Sequence, residues 1–358
     1  MAVTDIGSST QVAPAAPRRG RLTSVTQYGI VWAVLALFVI LCLTTPGFLS
    51  FANLRNVLDQ QAPVLIVAAP LTLTLIAGQF DVSLSAVYIT APLVGLQVER
   101  ATGSFSLALL AGLLAGLLCG LFNAFLVVTC RINSFISTLA SSYVVAGIGY
   151  VVSDRGILTP SDEGFRDFAA TRILGLTSAT WMAVVVVAVF WVVLSSTRYG
   201  RYIYATGANG DAARLSGIRT GWMVASTFLL TAGAAAFAGL LNASKSMSAQ
   251  ASDDFSFVFG ALAAVVVGGT SIAGGAGAVW RTIAGALFIA MMNNGFNLNQ
   301  VDPIYQRIIL GLVILAAVGF DAFSRGRSPV MRSRRPGTSD GRQATVADSP
   351  PVTRTSSS

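Results

Sequence analysis

The sequence predicts an all-α protein, a polytopic transmembrane bundle of about ten helices with both termini in the cytoplasm. Three observations point there. Only 11% of the 358 residues are charged, against roughly a quarter in a soluble domain, and mean hydropathy is +0.71. Most of the surface must therefore face lipid. Apolar runs near 17–25 residues, long enough to cross a bilayer, recur with mostly short connections. The basic residues also sort to alternate loops.

Taken in order, residues 1–24 are an Ala/Pro/Ser/Thr-rich tail closing on Arg18, Arg19 and Arg21, expected to be disordered. The run from Gly29 to Leu43 could serve as a signal-peptide core. No small-x-small cleavage site follows it, only Thr44-Thr45-Pro46-Gly47, so it is read as an uncleaved first span over 27–44. Further spans are expected at 62–78, with Pro70 inside, and at 83–98, 105–129, 133–152, 179–195, 221–243, 255–272, 278–296 and 303–320. The membrane domain is thus 25–324, with a long loop at 196–220, and 325–358 is a basic, disordered tail.

Loop charge sets the orientation. With the N-terminus inside, inner segments hold 16 of the 23 basic residues: three in the N-tail, Arg131, four in 198–219, Arg281 and seven in the C-tail. The outer segments hold 7, as the positive-inside rule favours. Two loops are long. The outer one, Ser153 to Ser178, carries Asp154, Asp162, Glu163 and Asp167; the inner one carries Arg198, Arg201, Arg214 and Arg219.

Composition excludes several functions. The formal charge is +8, but the arginines sit between apolar runs and in tails rather than on an aromatic-laced face, so no nucleic-acid partner is expected. There is no histidine, which removes imidazole metal sites and serine–histidine nucleophiles together. Cys42, Cys119 and Cys130 lie in or beside apolar runs without a CxxC spacing and read as small buried hydrophobes. No Gly-x-Gly-x-x-Gly is completed after Gly275, since Trp280 stands where the third glycine is needed, and no Walker A loop exists. No catalytic residue, metal site or cofactor is expected on this chain.

Four segments carry the remaining information. Gly112-x-x-x-Gly116-x-x-x-Gly120 makes a flat helix stripe for close packing. Gly78-Gln79-Phe80-Asp81-Val82-Ser83 joins two apolar runs with almost no loop. An aspartate at membrane depth must be hydrogen-bonded or face water, so Asp81 either caps the next helix or meets solute, and it is the only carboxylate placed near that depth. Asp211 to Leu215 reads as a short amphipathic helix with Gly217 at its stop, either a connector or a docking knob. Asn293, Asn294 and Asn297 share much of one helix face. Uncharged amides suit polyol hydroxyls, and Asn123 with Ser134, Ser137, Thr138, Ser141 and Ser142 could extend such a lining; interhelical hydrogen bonding is the alternative.

Asp-Ala-Ala-x-x-x-Gly at 211–217 resembles the Glu-Ala-Ala-x-x-x-Gly loop of ABC importer permeases, with Asp211 in place of glutamate. The 78–83 segment resembles the Gly-Gly-Ile-Asp-Leu-Ser element of the ribose-type branch, with Gln79 for the second glycine. Residues 264–275 are similar to that branch's glycine-rich segment, and 293–298 to its Asn-Asn-Gly-x-Asn-x element. The likeness runs over about 30–322. It implies a sugar permease in a bacterial inner or plasma membrane, served by an extracytoplasmic sugar-binding protein at 153–178 and 244–254. A separate ABC ATPase subunit would carry the ATP and Mg, and the permease would work as a homodimer or heterodimer. It also implies that Asn209, Gly210, Asp211, Ala212, Ala213, Arg214, Leu215 and Gly217 form the helix seated in the ATPase, and that Asp81, Asn123, Thr138, Asn293, Asn294 and Asn297 border the pathway. The rivals are a branched-chain amino-acid or nucleoside permease of the same class and a stand-alone secondary transporter.

Overall fold

The computed structural model describes residues 28–326. The N-terminal tail and nearly all of the C-terminal one lie outside these residues. Each of the ten expected spans coincides with a helix. They are α1 (Gly29–Thr44), α2 (Phe51–Ile76), α3 (Leu84–Thr102), α4 (Phe105–Ala124), α5 (Ser134–Val152), α7 (Ser178–Ser196), α10 (Thr220–Ser246), α11 (Ser256–Val267), α12 (Val279–Leu298) and α13 (Pro303–Gly326). Three shorter helices lie between spans: α6 (Glu163–Ala170), α8 (Arg198–Ala208) and α9 (Gly210–Leu215). The protein is therefore an all-α membrane bundle.

By length and composition, α2, α5, α7, α10 and α4 with its extension to Thr129 could each cross a membrane. The fit of α11 is different. Its apolar run was expected to reach 272, but the helix stops at Val267, about 18 Å long at 1.5 Å per residue. The chain turns out of the helix at Gly269, whose φ of +83° an L side chain rarely adopts, while a Cβ on Gly268 would meet the Arg281 carbonyl near the start of α12.

The centre of the bundle is α2, buried almost without interruption from Gln61 to Ala77. Two prolines sit inside it, Pro63 and Pro70. Each proline leaves the carbonyl four residues earlier without its helical donor, and for Pro63 that acceptor is answered by Lys245 Nζ of α10, which donates to the Asp59 carbonyl at 3.0 Å. Such repair is what lets proline persist in a membrane helix.

The glycine stripe of α4 packs as expected. A Cβ on Gly112 would fall 2.9 Å from the Ala91 carbonyl of α3, and one on Gly120 would fall 2.8 Å from the Phe228 carbonyl of α10. The opposite face of α4 presents Leu110, Leu114, Leu118 and Leu121, all exposed, as a lipid-facing surface should. At Phe125–Thr129 the helix widens into a π turn, closed by Cys130 N–H donating to the Phe125 carbonyl at 3.1 Å. Cys42 and Cys119 are half-buried, but Cys130 is exposed, because the π turn carries it out of the packed bundle.

The long loop at 153–178 contains regular elements. Its strand β1 (Ile157–Leu158) pairs antiparallel with β4 (Ala249–Gln250), and β2 (Arg172–Ile173) pairs with β3 (Leu176–Thr177). Between them Asp162 caps α6, its Oδ1 accepting from Gly164 N–H at 2.6 Å. The β1–β4 pair brings 153–178 and 247–254 to one end of the bundle. The other end carries α8 and α9.

Candidate functional site

The exposed helix at the arginine-rich end is α9. Asn209, in extended conformation, starts it by accepting the amides of Asp211 at 3.1 Å and Ala212 at 3.0 Å on Oδ1. This is an N-cap, which satisfies amides that have no helical partner. The stop comes at Gly217, whose φ of +84° suits glycine alone without strain. Ala213 is buried against the bundle, while Asp211, Ala212, Arg214 and Leu215 face outward; Leu215 is 91% exposed. Thus α9 presents a short polar and apolar face that none of the described residues covers.

The preceding helix, α8, ties α9 to the bundle. Tyr199 Oη and Ser226 Oγ lie 2.7 Å apart, and Tyr204 Oη donates to the Gly277 carbonyl at 2.8 Å. Burial pushes both phenols above their ordinary range, so they stay protonated.

Asp81 lies in the break between α2 and α3 and is fully buried. Its Oδ1 accepts from Ser83 N–H at 3.0 Å and from Ser83 Oγ at 2.6 Å. The N-cap position of α3 itself is held by Ser83, so Asp81 closes the turn before the helix rather than the helix. The network continues outward. Asn123 Nδ2 donates to Ser83 Oγ at 2.8 Å, and Ser141 Oγ donates to Asn123 Oδ1 at 2.6 Å. Thr138 Oγ1 accepts from Val82 N–H at 3.0 Å, and Ser134 Oγ accepts from Phe80 N–H at 3.1 Å. Asp81, Asn123 and Thr138 thus join in one buried polar node that fastens the break to α4 and α5. The other carboxylate oxygen, Asp81 Oδ2, is buried without a partner.

The asparagines lie elsewhere. Asn294 and Asn53 exchange reciprocal amide bonds at 2.8 and 2.9 Å, locking α12 to the start of α2. Asn293 is half-buried and Asn297 is exposed, accepting from Gln306 at 3.2 Å. From Asn53 to the end of α2 at Ile76 is about 35 Å of helix at 1.5 Å per residue. The two sets of expected pathway residues therefore occupy opposite ends of the bundle.

Asp81 is not the only buried carboxylate. Asp59 of α2 accepts from Thr177 N–H at 3.3 Å, Thr177 Oγ1 at 2.8 Å and Thr180 Oγ1 at 2.5 Å. Glu99 of α3 accepts from Ser161 N–H at 2.8 Å, Ser161 Oγ at 3.2 Å and Asp162 N–H at 2.7 Å. Sequence reasoning missed both because it ended the apolar runs at 62 and 98, and the helices run on to 51 and 102. Their partners are backbone amides and hydroxyls far along the chain, which no spacing announces. Beside α9, a cleft of about 310 Å³ is bordered by Gln79, Arg131, Thr206, Gly210, Arg214 and Thr220.

Residues 53–318 match the family model described as branched-chain amino acid transport system / permease component. The chain belongs to that family. The permease is 32% identical over 299 residues to the L-arabinose transport system permease protein AraH of Escherichia coli, covering 84% of this chain and 91% of that one. It is 33% identical over 301 residues to the ribose import permease protein RbsC of E. coli, covering 81% and 91%. It is 35% identical over 288 residues to that of Bacillus subtilis, covering 80% and 89%. No solved structure matches it. Among the described residues no group of three or more metal-ligating side chains gathers.

Proposed function

We propose that the permease is the membrane-spanning subunit of an ATP-driven importer of a simple sugar, a ribose- or xylose-like monosaccharide. An extracytoplasmic binding protein would deliver the sugar at the end that carries 153–178 and 244–254. A separate ABC ATPase would bind and hydrolyse ATP with Mg, and two permease chains, identical or homologous, would enclose the pathway in the bacterial cell membrane. The chain itself is read as carrying no catalytic step. The observation that carries this reading is the exposed, capped helix Gly210–Leu215 in a chain whose relatives are sugar permeases.

Asn209 and Gly217 shape that helix, and Asp211, Ala212, Arg214 and Leu215 would touch the ATPase, with Ala213 seating it on the bundle. The polar node of Asp81, Asn123 and Thr138 and the amides of Asn293, Asn294 and Asn297 would border the route at its two ends. The permease needs only weak contacts with sugar, because affinity resides in the binding protein.

Pull-down of the detergent-solubilised chain from its host, with mass spectrometry, tests the reading. Recovery of an ABC ATPase, lost on replacing Asp211 and Arg214 together, supports it. A chain that runs alone and still moves solute in ATP-free liposomes sinks it and promotes a secondary transporter. The description of the matched family favours a second cargo, a branched-chain amino acid. Competition of labelled ribose uptake by leucine separates the two.

A further inference from the structure

We infer that Gly207 and Gly274 meet the backbone of Ile76 to Gly78 in a joint that carries motion of the 210–215 helix into the α2–α3 break. The inference rests on the docking role proposed for that helix. The last turn of α8, the end of α2 and the glycine segment between α11 and α12 meet here, largely through backbone. Gly275 N–H, in the segment between α11 and α12, donates to the Ile76 carbonyl at 2.8 Å, where α2 ends. A Cβ on Gly274 would sit 2.9 Å from Gly78 Cα and 3.0 Å from the Gly207 carbonyl, and its φ of +85° also excludes a side chain. A Cβ on Gly207 would collide with the Ile76 carbonyl and lie 2.8 Å from Gly275 N. The close approach requires the absence of a side chain at 207 and at 274.

Position gives the contact its consequence. Gly207 is two residues from Asn209, the cap of α9. Gly78 is three residues from Asp81, and the segment between them hangs from α5 through Ser134 and Thr138. Tyr204 Oη on the Gly277 carbonyl is a second strut between α8 and the glycine segment. A push on α9 is thus delivered to the end of α2 without flexible side chains to absorb it. Close-packed contacts of this kind shift between discrete arrangements instead of yielding gradually, and the chain of contacts is continuous from the docking helix to the polar node.

The test uses the whole importer, reconstituted in liposomes with its ATPase and binding protein, and reads solute taken up per ATP hydrolysed. Gly207→Ala should lower that ratio about tenfold, with the ATPase still recovered at the wild-type stoichiometry. Tyr204→Phe, which adds no volume, should lower it about fivefold for one lost hydrogen bond. Gly147→Ala, where a Cβ on α5 meets nothing within 4 Å, should leave it unchanged. An unchanged ratio in either joint variant overturns the joint. If Gly207→Ala does not fold, Tyr204→Phe decides alone. A wild-type chain that recovers no ATPase overturns the importer reading itself and not merely its mechanics.

Discussion

The two ends of the permease are built on opposite plans. At the acidic-loop end, buried carboxylates reach from the bundle and grip the loop. Asp59 takes donors from Thr177 and Thr180, Glu99 takes the 161–162 turn, and Ser244 Oγ both accepts Ala169 N–H at 3.0 Å and donates to the Phe165 carbonyl at 2.6 Å. At the arginine-rich end, α9 is capped by its own neighbours and holds on to the bundle through Ala213 and the α8 contacts. One end is a fixed ledge and the other a presented knob. A surface that must recognise an arriving protein benefits from being preorganised. A surface that must transmit force benefits from being short, exposed and attached to something that moves.

Several substitutions can break or sharpen this contrast. Glu99→Ala removes the acceptor of three bonds, from the Ser161 and Asp162 amides and the Ser161 hydroxyl. It should cost about 3 kcal/mol, seen as a lower melting temperature in detergent and faster proteolysis within 157–177. A wild-type melt would mean that the ledge does not depend on its carboxylates. Gly116→Val pushes a side chain into Ala236 and the Ala232 carbonyl of α10. About 2 kcal/mol of stability should be lost, and a tolerated valine would show the stripe to be slack.

Asn209→Ala strips the cap from α9 and should cost about 1 kcal/mol locally. Hydrogen exchange of the Asp211 and Ala212 amides should quicken about fivefold, while the global melt barely moves. Leu215→Ala should change the chain's own stability by less than about 0.5 kcal/mol, because the side chain is almost fully exposed. Its effect should appear only as weaker recovery of the ATPase. If Leu215→Ala instead destabilises the isolated chain, α9 is packed and not presented, and the contrast between the ends fails.

Legibility followed the range of the interactions. Span order, the glycine stripe and the helix at 210–215 could all be read directly, because periodicity and capping act within a few residues. The helix ends were missed where a span carries on past its apolar run, as with Asp59, Glu99 and Arg100 inside α2 and α3. Helical hydrogen bonds do not require apolar residues, and a buried carboxylate is tolerated when tertiary donors reach it.

Local chemistry therefore settled that this chain is a membrane bundle and where its short capped helix at 210–215 lies. Packing alone decided that Asp81, Asn123 and Thr138 form one node, that Asn294 pairs with Asn53 at the other end of α2, and that Gly207 and Gly274 meet the end of α2. Those contacts join residues tens to hundreds of positions apart. Their partners become neighbours only when every helix has taken its place, so no pattern in the linear chain records them.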